Sequence, residues 1–264
     1  AKGGFSMRLT ELEQKMLDGE FGEAVQLAMR LLVGIGKVEG AESMIPIKSA
    51  HISGVSYQNI GDEGLEFLKE LAEMGCKVRV QTTLNPCGID MRRWRQIDVS
   101  KEYVEKQRMV LDTYTRLGVK PTCTCTPYLL ENVPEPGDHV SWAESSAVIY
   151  INTFIGAYTN REGGLSALAA AITGRTPYYG LHLDKERRPQ IAIKTEFRAK
   201  SPLEYGILGY IAGAIARSRI PLILHEPPRR ISEKKQFAGG LSASGSVGMA
   251  FFSRPETWKG NDLE

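Results

Sequence analysis

Apolar positions recur at helical spacing in some stretches of the chain and run unbroken in others, with turn residues between them. Thr10 and Glu13 have the T-x-x-E spacing of a capping box and predict a helix that runs to Gly19. A second helix is predicted from about Phe21 to Leu32, where Val25, Leu27, Ala28, Met29 and Leu32 gather mostly on one face. Extended segments are predicted at Ile47–Ile52, after Pro46, and at Val78–Thr83. Between them Asp62 caps a helix carrying Leu65, Phe67, Leu68 and Leu71, which stops at Gly75. Ser100 caps the next helix, with Tyr103, Val104, Val110, Leu111 and Leu117 as core contacts and Gly118 as its end. Pro121 to Pro127 then leads through a cysteine loop.

The second half continues the alternation. Ala147–Phe154 is an unbroken apolar run that predicts a buried strand, and alanine-rich Leu165–Ile172 predicts a helix. Ile191–Phe197 alternates like an edge strand, and Pro221–Leu224 reads as a buried one. Leu203–Ala216 predicts a helix whose Gly206, Gly209 and Gly213 suit close packing on a sheet. The stretch 225–235, HEPPRRISEKK, reads as an exposed loop and not a domain boundary. Strands alternating with helices, with the polar loops after the strands, predict an α/β fold whose ligands bind at the strand carboxyl ends.

Composition narrows the function classes. The 264 residues are enough for one large domain or two small ones and for a sizeable core without disulfides. Lys and Arg number 33 against 31 acids, a net charge of +2, which argues against nucleic-acid binding and a polybasic membrane anchor. No apolar run reaches the roughly 18 residues of a membrane span, and no secretory signal opens the chain. A cytoplasmic protein is expected. Residues 1–6 read as an appended remnant, with Met7 as the natural start and residues 7–264 as one α/β region.

The candidate chemistry lies in the loops. Cys123 and Cys125 form a C-x-C pair, and two residues apart on a strand they would face the same side. Thiolates at such a place are soft ligands for an iron–sulfur cluster, Zn²⁺ or Cu(I), whereas the bland reading is two buried small hydrophobes. Cys87 sits in another loop after a strand and can approach the same point, while Cys76, next to a helix-ending glycine, reads as core. The loops 53–61 and 242–248, rich in Gly and Ser, resemble anion cradles, but neither has the P-loop spacing and each taken alone reads as an ordinary turn. Residues 152–164 concentrate Asn152, Asn160 and Arg161 beside glycines, and an arginine binds carboxylate or phosphate in two-pronged fashion. His51, His139, His182 and His225 show no zinc-hydrolase spacing. There is no G-x-S-x-G elbow, and no G-x-G-x-x-G follows a strand.

Six blocks carry a family resemblance: LTELEQKMLDGEFG, SAHISGVSYQNIGDEGLEFL, TTLNPCGID, TCTCTPYL, SWAESSAVIYINTFIGAYTNREGG and AITGRTPYYGLHLD. Together they resemble the large subunit of aconitase X, from about Met7 to Phe252. The resemblance implies an aconitase-superfamily hydro-lyase of stacked α/β/α domains with mostly parallel sheets. It also implies an iron–sulfur cluster, of the four-iron (4Fe-4S) type, and a small swivelling-domain subunit that completes a heterodimer and supplies the catalytic base. Cys125 is the first cluster ligand carried over, followed by Cys123 and Cys87. Gly54, Ser56, Asn85, Glu144, Ser145, Asn152, Asn160 and Arg161 are the expected shell around a small anionic substrate.

Archaeal members of the family are similar to enzymes of isoprenoid biosynthesis that dehydrate mevalonate 5-phosphate to trans-anhydromevalonate 5-phosphate. Bacterial ones are similar to cis-3-hydroxy-L-proline dehydratases. A metal-free interaction protein on the same fold, or a structural zinc protein, is the alternative of a different class. Two departures stand out. Tyr158 replaces the arginine of the family's G-A-R-T-N, and the Cys-Pro-His segment expected after Phe252 is missing.

Overall fold

The structure is a computed structural model that describes residues 7–258 and Leu263. The proposed remnant at residues 1–6 therefore lies outside the described residues. In chain order the elements begin with α1 (Glu11–Asp18), α2 (Glu23–Glu39), β1 (Met44–Pro46), β2 (Ser49–Ile52) and α3 (Tyr57–Glu73). They continue with β3 (Gln81–Leu84), α4 (Lys101–Arg116), β4 (Ser141–Trp142), α5 (Ser145–Tyr150) and α6 (Gly164–Thr173). The last are β5 (Arg175–Pro177), β6 (Ile191–Lys194), α7 (Pro202–Ala216), β7 (Pro221–Leu224), α8 (Ile231–Ser244) and β8 (Phe251–Ser253). The chain is an α/β fold in two compact units, and the chain passes between them at Val133, Asp138, Glu144, Arg161 and Tyr179.

The first unit holds residues up to Val133, His139–Glu144 and Glu162–Tyr179. Its sheet has the order β3-β2-β4 with every pairing parallel, and β1 and β5 form a separate antiparallel pair. Local signals place the helices as expected. Thr10 and Glu13 close a complete capping box on α1, and the Ser100 hydroxyl accepts from the Tyr103 amide at the start of α4. The second helix runs seven residues past Leu32, to Glu39, and stops only where Gly40 takes a left-handed conformation. The third element spans Tyr57–Glu73 but is broken at Gly61, whose φ of 64° and ψ of -166° are not helical. The helix carrying Leu65, Leu68 and Leu71 thus starts afresh at about Asp62, as expected, after a short preceding turn at Tyr57. Segment 121–127 is not a strand: among the described residues its neighbourhood makes one isolated bridge, Thr83 to Lys120. Met16, Met29, Leu32, Ile52, Leu65, Leu84 and Leu117 are fully buried and form the centre of this unit's core.

The second unit holds Pro134–Asp138, Ser145–Arg161 and residues from Gly180 onward. Its sheet is parallel in the order β6-β7-β8, so Ile191–Lys194 is an edge strand as predicted and shorter than predicted. Two expectations are corrected here. The run 147–154 is not a strand: α5 covers Ser145–Tyr150, and Ile151–Ile155 is a wider π-type turn that closes on Gly156. An unbroken apolar run has no period, and Ala147, Val148, Ile149 and Ile151 are buried on every side of the helix, which is why it looked like a strand. The glycines of α7 face a helix and not a sheet. A Cβ on Gly209 would collide with the Phe237 carbonyl of α8, and one on Gly240 with the Gly206 carbonyl of α7. The stretch read as a loop at 225–235 enters α8 at Ile231.

The backbone-to-backbone crossing of α7 and α8 gives a testable contrast. Gly240→Ala inserts a methyl group against backbone and is expected to destabilise the unit by about 1–3 kcal/mol. Gly239→Ala, with nothing within 4 Å of the new Cβ, is expected to stabilise the helix by about 0.5–1 kcal/mol. Denaturant unfolding of the two variants reads the difference. Equal effects would contradict the close crossing.

Candidate functional site

In the first unit, the parallel register pairs His51 with both Thr83 and Trp142, so the three strands end at one level. The loops that leave them carry Gly54 and Ser56 after β2, Asn85 and Cys87 after β3, and Glu144 after β4. Backbone bonds hold these exits together. The Asn85 amide donates to the Ile52 carbonyl at 2.9 Å, Ala143 to His51 at 2.9 Å, and Thr124 to Leu84 at 3.0 Å. Gly88, at φ 81°, lets the β3 loop close on Ser56, since a Cβ there would lie 2.7 Å from its hydroxyl.

The thiols are sorted by this arrangement. Cys87 is buried, Cys123 is half-buried against it, Cys125 is exposed, and Cys76 is buried in the core. The C-x-C pair is not on a strand. Cys123 takes φ 47°, a left-handed conformation rare for a residue with a side chain, and the two thiols differ in exposure. The Cys123 thiol donates to Cys87 and brings the Cys87 pKa from 9.0 down to about 6, against the opposing effect of burial. The same hydrogen bond, with burial, holds Cys123 far above the ordinary cysteine range. Burial, and then the Glu144 charge, push Cys125 up. Among the described residues no three His, Cys, Asp or Glu side chains form a group that could hold a metal ion. The donor chemistry, three thiols from two adjoining loops with one poised as thiolate, fits a soft iron–sulfur centre. The folded arrangement is a thiol pair with Cys125 nearby in sequence, not a closed cage.

Beside the thiols, Asn85 Nδ2 donates to Glu144 Oε2 at 2.9 Å, which brings together two of the residues expected around substrate. Ser56 Oγ lies 3.2 Å from Tyr103 OH, and Gly54 has φ 72° with open space where a Cβ would stand. Ser145, Asn152, Asn160 and Arg161 belong to the second unit. There Arg161 Nη2 donates to Ser145 Oγ at 2.8 Å, and Nη1 donates to the Gly245 carbonyl at 3.1 Å. The loop likeness to an anion cradle at 242–248 gives way to the ordinary turn favoured for it: residues 242–244 are helical, and the loop turns carbonyls toward a guanidinium.

Asn152 and Asn160 are used by the fold. Asn152 Nδ2 donates to Thr159 O and Gly248 O, each at 2.9 Å, and its Oδ1 accepts from the Thr159 amide and Arg187. Asn160 Oδ1 accepts from the Leu181 amide at 2.8 Å. Tyr158, where the resemblance leads one to expect an arginine, donates to Asp184 at 2.7 Å and lies under the Arg187 guanidinium.

The sequence reading overlooked His51, Thr83 and Asn132. His51 is completely buried, with Nδ1 2.8 Å from Thr83 Oγ1, and burial pushes its pKa down to about 4. Its lack of zinc-hydrolase spacing says nothing of this place. Its position on a strand that feeds the polar loop was the available signal. Asn132, far along the chain, carried none.

The profile of the aconitase X first domain matches residues 6–185, and that of the aconitase X second domain matches residues 189–258. The chain belongs to the aconitase X family. It is 47% identical over 241 residues to the phosphomevalonate dehydratase large subunit of Methanothermobacter thermautotrophicus, covering 91% of this chain and 60% of that one. It is 37% identical to a cis-3-hydroxy-L-proline dehydratase of Pseudomonas aeruginosa, over 92% of this chain and 42% of the relative. The crystal structure of Thermococcus kodakaraensis aconitase X in its holo form superposes with a TM-score of 0.87 at 42% identity, covering 97% of this chain and 65% of that one. This aconitase X chain thus spans about three fifths of the length of its dehydratase relative.

The thiol pair predicts a pH signature. In the reduced, metal-free chain, one thiolate is expected to appear in the ultraviolet spectrum as pH rises through about 6. Cys123→Ala should move that step up toward the ordinary cysteine range. An unmoved step would show that Cys123 is not the donor.

Proposed function

We propose that this aconitase X chain acts in a large subunit that dehydrates mevalonate 5-phosphate to trans-anhydromevalonate 5-phosphate, together with a small partner subunit, in the cytoplasm. The observation that carries the reading is the juxtaposition, on one edge of a parallel sheet, of the Cys87–Cys123 pair and the Asn85–Glu144 pair. Relatives named phosphomevalonate dehydratase large subunit, at 40–47% identity, support this substrate over cis-3-hydroxy-L-proline, whose dehydratases stand at 36–37%.

Cys87, Cys123 and Cys125 are the residues assigned to an iron–sulfur cluster. When bound, that group supplies a Lewis-acidic iron for the departing hydroxyl. The protein's own work is to bind, orient and manage protons. Asn85 Nδ2 donates to one oxygen of Glu144 and so fixes the direction of that carboxylate, which is assigned to the substrate's surroundings. Arg161, its guanidinium braced by Ser145 and the Gly245 carbonyl, is assigned to an anionic group of the substrate. Gly54 and Ser56 are assigned to the substrate's surroundings through the β2 exit. Within the second unit, Asn152 and Asn160 fix the loop that carries Arg161. The general base is assigned to the small subunit.

The test is an anaerobic assay of the chain with its small partner after iron and sulfide reconstitution. Dehydration of mevalonate 5-phosphate is expected, with a loss of roughly 100-fold or more in kcat/KM for Glu144→Gln. Turnover of cis-3-hydroxy-L-proline in its place would assign the other substrate. Iron-loaded protein that dehydrates neither, or a Cys125→Ala variant with unchanged function, would overturn the dehydratase reading.

A further inference from the structure

We propose that His51 is a positioning residue: held as its Nε2–H tautomer by Thr83 and Asn132, it fixes the Asn85 amide and through it the Glu144 carboxylate. A buried chain of polar groups is fixed at both of its ends. At one end, Asn132 Nδ2 donates to the Ala50 carbonyl at 3.1 Å and to Thr83 Oγ1 at 2.9 Å. A carbonyl only accepts, so the orientation of the Asn132 amide is set. Thr83 then accepts from Asn132, and among the described residues its hydroxyl hydrogen has one partner left, His51 Nδ1 at 2.8 Å. The opposite arrangement, with Nδ1 donating, would strand a buried hydroxyl hydrogen without an acceptor.

At the other end, Asn85 Nδ2 donates to Glu144 Oε2 at 2.9 Å. A carboxylate only accepts, so the Asn85 amide is set as well, with Oδ1 on the side away from Glu144. Two buried polar atoms are left without a hydrogen-bond partner in this neighbourhood, His51 Nε2 and Asn85 Oδ1. They belong to each other. The Asn85 side chain and the Thr124 backbone both favour a proton on the His51 ring, which is the effect of acceptors. With Nδ1 committed to Thr83, that proton stands on Nε2 and meets Asn85 Oδ1. The two orphaned atoms are one donor and one acceptor that close when the site tightens.

The cross-strand pairing gives the relay its rigidity. His51 on β2 and Thr83 on β3 are register partners, and the ring of His51 lies tilted against Trp142 of β4 at 5.9 Å between centroids. A ring so enclosed is held in place, with the Asn85 side chain and the Thr124 backbone as the acceptors on its Nε2 side. His51 thus converts a fixed sheet into a fixed amide direction one residue beyond the end of β3.

The catalytic consequence rests on the role proposed above for Glu144, whereas the tautomer and its grip on Asn85 do not. The decisive experiment is nitrogen-15 NMR of the chain labelled at histidine and asparagine, with His51 assigned by the His51→Gln spectrum. The expected result at neutral pH is a bare Nδ1 and a proton-bearing Nε2. Thr83→Val should release that single state, and His51→Leu should shift the Asn85 side-chain amide, which His51→Gln, keeping a donor, should restore. Circular dichroism of each variant confirms its fold. In the complex with the small subunit, His51→Leu should lower kcat/KM roughly tenfold to a hundredfold, with Gln recovering part of it. An Nδ1–H ring, or an Asn85 amide indifferent to His51→Leu, would overturn the relay. Absence of any dehydratase turnover with both NMR results in place would instead count against the function proposed for the site.

Discussion

Parallel pairing of β2 with both β3 and β4 is the constraint on which the candidate site depends. Because His51 is level with Thr83 on one side and Trp142 on the other, three chain segments leave the sheet at the same height. Each exit is then tied to its neighbour by a backbone bond, Asn85 to Ile52 and Ala143 to His51, both at 2.9 Å. A slip of one residue would turn His51 to the other face of the sheet and separate Asn85 from Glu144. The side chains of the site are thus set by strand register before any of them makes a contact of its own.

The same edge explains why the cysteines behave differently. Cys87 and Cys125 lie on loops from adjacent parts of one sheet edge, but the left-handed turn at Cys123 directs that thiol inward to Cys87. The result is an asymmetric pair, one thiolate-prone and one thiol, beside an exposed cysteine near the negative charge of Glu144. In the second unit the governing constraint is different: two helices cross at backbone distance through Gly209 and Gly240. Arg161 is there supported by side chain and carbonyl, and Asn152 by four hydrogen bonds, as a rigid loop requires.

Much of the fold was legible because its signals are local. Thr10 with Glu13, and Ser100, announce helix starts through hydrogen bonds made within four residues. A loop position after a strand pointed to Cys87, the family resemblance pointed to Asn85 and Glu144, and the α/β topology brings the three to one edge. The errors fall where the deciding contact is distant. Nothing within Ala147–Phe154 tells a buried helix from a buried strand. The glycines of α7 announce a close approach without naming α8 as its partner. Asn132 reaches Thr83 and Ala50 across the unit, a pairing that no local pattern encodes.

The central claim is that one edge of one sheet assembles both the thiols and the Asn85–Glu144 pair into a single working site. Iron content and visible absorbance after anaerobic reconstitution with the small partner test it most directly, comparing Cys87→Ser and Cys125→Ser with Cys76→Ser. The account predicts that the unaltered chain and Cys76→Ser take up iron and turn brown, while Cys87→Ser and Cys125→Ser do not. Iron uptake indifferent to Cys87 and Cys125, or stoichiometric zinc without visible colour, would contradict it.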